Sequence, residues 1–453
     1  MKYLRQFIDH IRRKPSLYFF VFVVIFTFDR HHRLEHAVGP MPPIASDVQE
    51  YYKLLPDIFL ADPAVAEKSI RENKRTIGMA VMYAPAFFVG HHIAKYNGEI
   101  LDGYSESYRW ALRWGSIIYT ILGLVFLRKA LLLFFREITT LVTLACIFFG
   151  TNLFYYTYGW GEMPHSYLFF LYALFAWLTL RWVLHDKKFN LLWIGLVAGM
   201  ITLIRPTGIV VLLFPLLFNI SSWNDLRQRL SLLISQKWIT VFALLLFLFP
   251  IVMQMLFWKS HIDQYVYYSY NKERFFFNDP QVINFLFSFR KGWLVYTPIM
   301  ALAMLGLFLS RKKLRGFFIF SILFFAVNVY ILSSWWEWSF GGSFGCRALV
   351  EAYAFLAFPF AVSIDWIWFN RFSMISKNAI RITALVVLFV LIRFNTWQST
   401  LYRAGVIHWS GMNWETYKYI FVRTEFKEED YVYLNSKFTT PDPEEMIKGN
   451  RDE

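Results

Sequence analysis

A few short stretches carry residues whose types could do chemistry. The first is Pro43-Ile44-Ala45-Ser46-Asp47-Val48-Gln49-Glu50-Tyr51-Tyr52, soon after the first long apolar segment, Ser16 to Phe28. An acid so near the mouth of a membrane helix is costly unless it faces water, a partner or a substrate. Asp47 is therefore the leading candidate, with a solvated loop acid or a helix cap as the plain alternative. The second stretch, Thr157 to His165, holds Glu162 and His165, which could equally be a capping acid and an interfacial histidine. The third is Leu203-Ile204-Arg205-Pro206-Thr207-Gly208, where a snorkelling arginine is the alternative. The fourth, Ser333 to Arg347, holds Glu337, Arg347, three tryptophans and the turn Gly341-Gly342-Ser343-Phe344-Gly345. The aromatic-rich stretch from Trp258 to Trp293 adds Arg290 and Lys291.

These residue types suit transfer of a sugar from a lipid-linked phosphate. The acceptor hydroxyl needs a base, and a carboxylate serves once partial burial raises its basicity. The departing phosphate needs positive charge, which the planar arginine fork supplies. Aromatic rings can stack on sugar faces, and glycine-rich turns let backbone approach a ligand closely. The adjacent His91 and His92 do not share a helix face and make a poor metal site.

The chain must bury an unusual amount of apolar surface. Of its 453 residues 57% are hydrophobic and 21% aromatic, against about 45–50% apolar in soluble domains. The net charge of +14 lies in short Lys/Arg clusters between apolar runs. That pattern marks cytoplasmic loops and argues against a nucleic-acid surface. Two cysteines give no disulfide framework or Cys-based metal site. A basic N-terminal region leads into an apolar run with no small-residue cleavage site after it, so the first helix reads as a retained anchor.

The expectation is an all-α polytopic membrane protein of about eleven spans. The runs lie near 16–28, 110–127, 138–156, 166–184, 189–220, 238–257, 294–309, 317–332, 348–369 and 382–394. The run at 189–220 splits in two at Arg205-Pro206, because proline breaks the helix before it. Lys2, Arg5, Arg12, Arg13 and Lys14 place the N-terminus in the cytoplasm, and Arg128-Lys129, Lys187-Lys188, Arg311 to Arg315, and Arg371 with Lys377 and Arg381 fall on the same side. Residues 30–108 then form a first outer loop, with Tyr51–Ala61 and Ile77–Tyr96 as moderately apolar pieces; the second could span, and an interfacial amphipathic helix is preferred because a span would put Arg128-Lys129 outside. Residues 1–394 make the membrane domain. Residues 395–453 make a small polar outer tail, frayed after about Thr440. Asp47, Glu162, Arg205 and Arg347 lie at the outer face, and His165, Glu337, Tyr52 and Lys291 complete a candidate substrate-binding set there.

The combination resembles bacterial members of the GT-C superfamily of polyprenyl-phosphate-sugar-dependent glycosyltransferases, and most of all the branch with protein O-mannosyltransferases and aminoarabinose transferases. The residues that carry the resemblance are Asp47 with Tyr51-Tyr52, the piece Ile77 to Pro85, the break Leu203 to Gly208, and Gly341 to Arg347, over roughly residues 1–400. The resemblance implies Asp47 as catalytic acid/base, Glu162 as a second acid, and Arg205 with Arg347 facing the lipid phosphate. Asp47 is followed by Glu50 three residues on, where the mannosyltransferases carry an adjacent acid pair. A divalent metal is required in some members of the superfamily and not in others, so the cofactor stays open. The expected activity is inverting transfer from a polyprenyl-phosphate sugar to a lipid, protein or glycan acceptor at the periplasmic face of the cytoplasmic (inner) membrane, among membrane lipids and without nucleic acid. A transporter or flippase for lipid-linked sugars, or a surface-polysaccharide polymerase or ligase, would use many of the same residues.

Overall fold

The computed structural model describes residues 13–38, 44, 46–73, 75–270, 272–369 and 374–451. Lys2, Arg5, Arg12, Pro43, Ala45 and Arg371 lie outside them. Among the described residues every regular element is helical, and one isolated bridge pairs Phe275 with Trp335. Five helices among the described residues are long and apolar enough to cross a membrane: Glu106–Leu131, Pro164–His185, Lys237–Ile262, Arg315–Ser333 and Asn378–Arg403. Lys237–Ile262 turns Phe242, Leu244, Leu245 and Phe249 outward, a face that only lipid or another apolar partner would cover. The chain is a multi-pass α-helical membrane protein.

Two compact units divide it. One comprises Pro40–Ala130 and Tyr156–Asn271. Its tightest packing sets the helix Asn190–Ile204 against Lys237–Ile262. Gly195 and Gly199, one helical turn apart, sit where a Cβ would run into the backbone carbonyls of Ala243 and Phe247. Such small-residue spacing lets two backbones meet in a membrane, where association depends on close van der Waals contact. The helix ends at Arg205, whose φ of −142° and ψ of 107° are extended, and the chain continues as a tight 3-10 turn over Pro206–Leu212. This is the break the proline predicted. The Thr76 hydroxyl donates to the Leu203 carbonyl at 2.6 Å, serving one acceptor that the helix end leaves open.

The other unit comprises Met1–Gly39, Leu131–Tyr155 and Lys272–Glu453. Here Ala301–Lys313 packs on Tyr353–Phe369, with Gly306 against the Pro359 carbonyl. The expected run at 294–309 is interrupted at Thr297-Pro298 and resumes as Ala301–Lys313, because Pro298 cannot continue a helix. The last apolar helix is far longer than the short span expected, Met374–Arg403. Its polar end stays helical because Asn395 donates to the Tyr296 carbonyl at 3.0 Å and Gln398 to Tyr417 at 2.7 Å. The chain also stays folded past Thr440: Pro443–Lys448 is helical, and Met446 and Arg451 are buried. The piece expected as an interfacial amphipathic helix is a 20-residue helix, Gly78–Asn97, apolar on its buried and its exposed sides alike.

Replacing Gly199 by leucine should force the two helices apart. The expected cost is about 1–3 kcal/mol, read as a lower thermal unfolding midpoint of the detergent-solubilised protein. An unchanged midpoint would contradict the close approach.

Candidate functional site

Asp47 opens the short helix Asp47–Tyr52, with Glu50 in the same turn. The i, i+3 spacing puts both carboxylates on one face. One cation meets them. Arg75 Nη2 lies 3.0 Å from Asp47 Oδ1 and Nε lies 2.9 Å from Glu50 Oε2. Its Nη1 reaches the Tyr270 hydroxyl at 3.2 Å, and its guanidinium stands 5.0 Å from the Tyr51 ring centre. The Asp47 side chain keeps 27% of its surface exposed and Arg75 keeps 17%, so each pair adds about 1 kcal/mol or less. Geometry matters more here than energy. The segment carrying Arg75 is tied at Asn73 to the Glu50 carbonyl (2.7 Å), at Thr76 to Leu203 and at the Ile77 amide to Gln254 Oε1 (2.8 Å).

Arg205 acts on the same neighbourhood. Tyr51 lies within electrostatic range of Arg75, Tyr270, Asp47 and Arg205. Burial raises the pKa of its hydroxyl above the ordinary value, with Arg75 opposing, so the phenol stays protonated. The first unit therefore gathers Asp47, Glu50, Arg75 and Arg205 around one tyrosine. That tyrosine is Tyr51. Tyr52, named from sequence as a substrate residue, is fully buried, donates its hydroxyl to the Gly103 carbonyl at 2.6 Å and packs on Tyr83, Phe87 and Tyr104. Its role in this fold is packing.

Glu162 is fully buried in this same unit and pairs with Arg113 at 2.6 Å. Arg113 belongs to the spanning helix Glu106–Leu131. The Tyr83 hydroxyl donates to the Glu162 backbone carbonyl, and Tyr83 is within electrostatic range of both Glu162 and Asp47. Among the described residues Glu162 Oε2 has no hydrogen-bond partner. His165, in the first turn of Pro164–His185, is buried with its ring 4.8 Å from that of Tyr156.

Lys291, Arg347 and Glu337 belong to the other unit and meet there. Lys291 is buried and its ammonium donates to the Ser343 carbonyl, over the Tyr402 ring at 5.5 Å. Arg347, Glu337 and Arg290 are its charged neighbours. Burial pushes the Lys291 pKa well below the ordinary lysine value; Arg347 and Arg290 push it further, and Glu337 opposes. The turn around the ammonium needs left-handed backbone at Phe340, Gly341 and Gly345 (φ 58°, 57° and 59°), which glycine adopts without penalty. Asn152 holds the turn by donating to the Phe344 and Cys346 carbonyls, each at 3.2 Å. Arg451 holds the preceding segment through the Ser334 and Trp335 carbonyls at 3.3 and 3.1 Å and Asp279 at 2.8 Å. Arg290 and Arg347 against the single acid Glu337 leave the cluster a net excess of positive charge, suited to an anion.

Arg75 and Arg113 are the two residues the sequence reading passed over. Both carried a signal. Arg75 is a cation in a segment assigned to the outer face, against the positive-inside trend, and Arg113 is a charge within an apolar run, which by default marks function or a buried partner. No three His, Cys, Asp or Glu among the described residues come together as a metal-ligand group. Cys146 and Cys346 are buried thiols.

Removing one partner of the buried pair should be costly. Arg113→Met is expected to lose about 3–5 kcal/mol of stability, and adding Glu162→Met should recover most of it, since the stranded charge goes too. Unfolding midpoints of the two single variants and the double variant test the coupling. Comparison with family models, with curated proteins and with solved structures gives no match to this chain.

Proposed function

We propose that the chain is an integral membrane glycosyltransferase that moves a sugar from a polyprenyl-phosphate donor to an acceptor at the outer face of the cytoplasmic membrane, through an architecture of about eleven spans. One observation carries the reading: a partly exposed carboxylate, Asp47, fixed in direction by a buried-side arginine, just after the first long apolar helix. In the reaction the acceptor oxygen attacks the anomeric carbon and its proton passes to Asp47. The bond from that carbon to the phosphate oxygen breaks, and its electron pair leaves with the lipid phosphate. The configuration inverts. Arg205, in the same unit as Asp47, receives the phosphate charge. Arg75 orients Asp47. Glu162 acts at one remove, through Arg113 and Tyr83.

The pairing of Arg113 with Glu162 favours a second reading. A buried charge on a candidate spanning helix, paired with an acid outside it, is what a flippase for lipid-linked sugars would also use. Turnover separates the two. Purified protein in liposomes with a polyprenyl-phosphate sugar and membrane acceptors should release lipid phosphate with new glycoside. Asp47→Asn should lower that rate by about 10²–10⁴-fold. Full activity in the variant would remove Asp47 from the mechanism, and sugar-lipid transbilayer movement without glycoside would favour the flippase.

The depressed Lys291 pKa gives a signed pH dependence. A bound anion favours the charged ammonium, so anion binding takes up a proton and weakens as pH rises through the Lys291 pKa. Pyrophosphate affinity of the wild type should fall across that range, and Lys291→Met should bind more weakly with that slope absent. Calorimetric titration at several pH values measures both.

A further inference from the structure

A groove of about 730 Å³ runs between the helices Gly78–Asn97 and Glu106–Leu131. Small residues make its floor, Ala86, Ala111 and Gly115, while Val89, Ile93 and Ile118 stand along its walls and are exposed. Among the described residues its lining holds no lysine, arginine or histidine. One end is polar, with Asn97, Glu99, Glu106 and Ser107. The other, at Tyr119 and Leu122, is apolar except for one hydroxyl.

The dimensions match one membrane leaflet. From Glu106 to Leu122 the helix rises about 24 Å at 1.5 Å per residue. Half a bilayer, hydrocarbon and headgroup region together, measures about 20–22 Å. Trp110, exposed on the groove one turn from Glu106, marks the interface level as membrane tryptophans commonly do. The acids then lie at headgroup depth and the apolar trough at acyl-chain depth.

The acidic end selects by charge. Ser107 donates to Glu99 from its amide at 3.0 Å and its hydroxyl at 2.6 Å. These bonds hold the Glu99 carboxyl down to about 2, so it is ionised at neutral pH. Glu106 is exposed beside it in the first helical turn. Two carboxylates at the mouth repel a phosphate-only headgroup and attract an ammonium, and such interactions strengthen near the low-dielectric interface.

We propose that this groove docks one amine-headed phospholipid, with an acyl chain along the trough and the ammonium against Glu99 and Glu106. The bound chain would end near the buried aromatic group that leads to Glu162. The Tyr119 and Tyr167 rings are 4.8 Å apart, Tyr167 and Tyr83 are 5.2 Å apart, and Tyr83 bonds the Glu162 backbone.

The test uses the full chain in neutral detergent, with phosphatidylethanolamine and phosphatidylglycerol of identical acyl chains, and native mass spectrometry as the readout. Phosphatidylethanolamine should be retained about fivefold better or more, the ratio that roughly 1 kcal/mol of charge interaction produces. Glu106→Gln, which leaves the Glu99–Ser107 bonds in place, should reduce that ratio, and Glu99→Gln with Glu106→Gln should bring it to about one. Val89→Trp or Ile118→Trp, each on an exposed wall, should fill the trough and lower retention of both lipids. Equal or better retention of phosphatidylglycerol by the wild type would overturn the proposal. So would a preference that survives both glutamine substitutions, or lipid retention that both tryptophan variants leave unchanged.

Discussion

A charge placed where water is scarce must have a partner, and in this protein that requirement is met by arginines reaching across sequence. Arg75 is the clearest case. A single guanidinium answers two carboxylates and a tyrosine hydroxyl and lies near two tyrosine rings. Its own segment is then held by side-chain bonds at Asn73, Thr76 and Ile77 to three other parts of the unit. The direction of the Asp47 carboxylate follows from that set of bonds. The short helix carrying it makes only one and a half turns and could not hold a side chain in place through its own propensity.

Arg113 and Glu162 solve the same problem deeper in the fold. Their attraction offsets a desolvation penalty of several kcal/mol per ion and leaves little net stability, so the pair is better understood as fixing one arrangement of the Tyr83 and Tyr167 surroundings. Lys291 meets the requirement differently. Its ammonium bonds a backbone carbonyl while two of its three charged neighbours are cations, and the outcome is a lowered pKa. A buried cation among cations is a poor way to stabilise a fold and a good way to receive an anion.

Helix content and the main breaks were readable because they rest on local chemistry. Apolar runs announced the spanning helices, and Pro206 announced the extended residue at Arg205. Where local reasoning erred, a distant partner had intervened. Asn395 and Gln398 look like the end of a helix, yet their amides find acceptors inside the fold and the helix continues to Arg403. The polar stretch beyond Thr440 looks frayed, yet Arg451 finds carbonyls and a carboxylate to bond and is buried. Pro298 was the reverse case: the signal lay in the sequence, and it split a run taken as continuous.

Amino-acid order alone determined that the protein lives in a membrane, because hydropathy is a local sum, and it offered Asp47, Glu162, Arg205 and the Gly341–Arg347 turn as candidates beside the plainer readings of loop acid, helix cap and snorkelling arginine. Of the adjacent pair Tyr51-Tyr52 it favoured Tyr52 for the substrate. Only the tertiary structure decided that Tyr51 faces the acids while Tyr52 is packing. It likewise decided that Asp47 answers to Arg75 and Glu162 to Arg113, partners 28 and 49 residues away. Pairing across such distances depends on which helices pack together, and no periodicity or spacing within a segment encodes it.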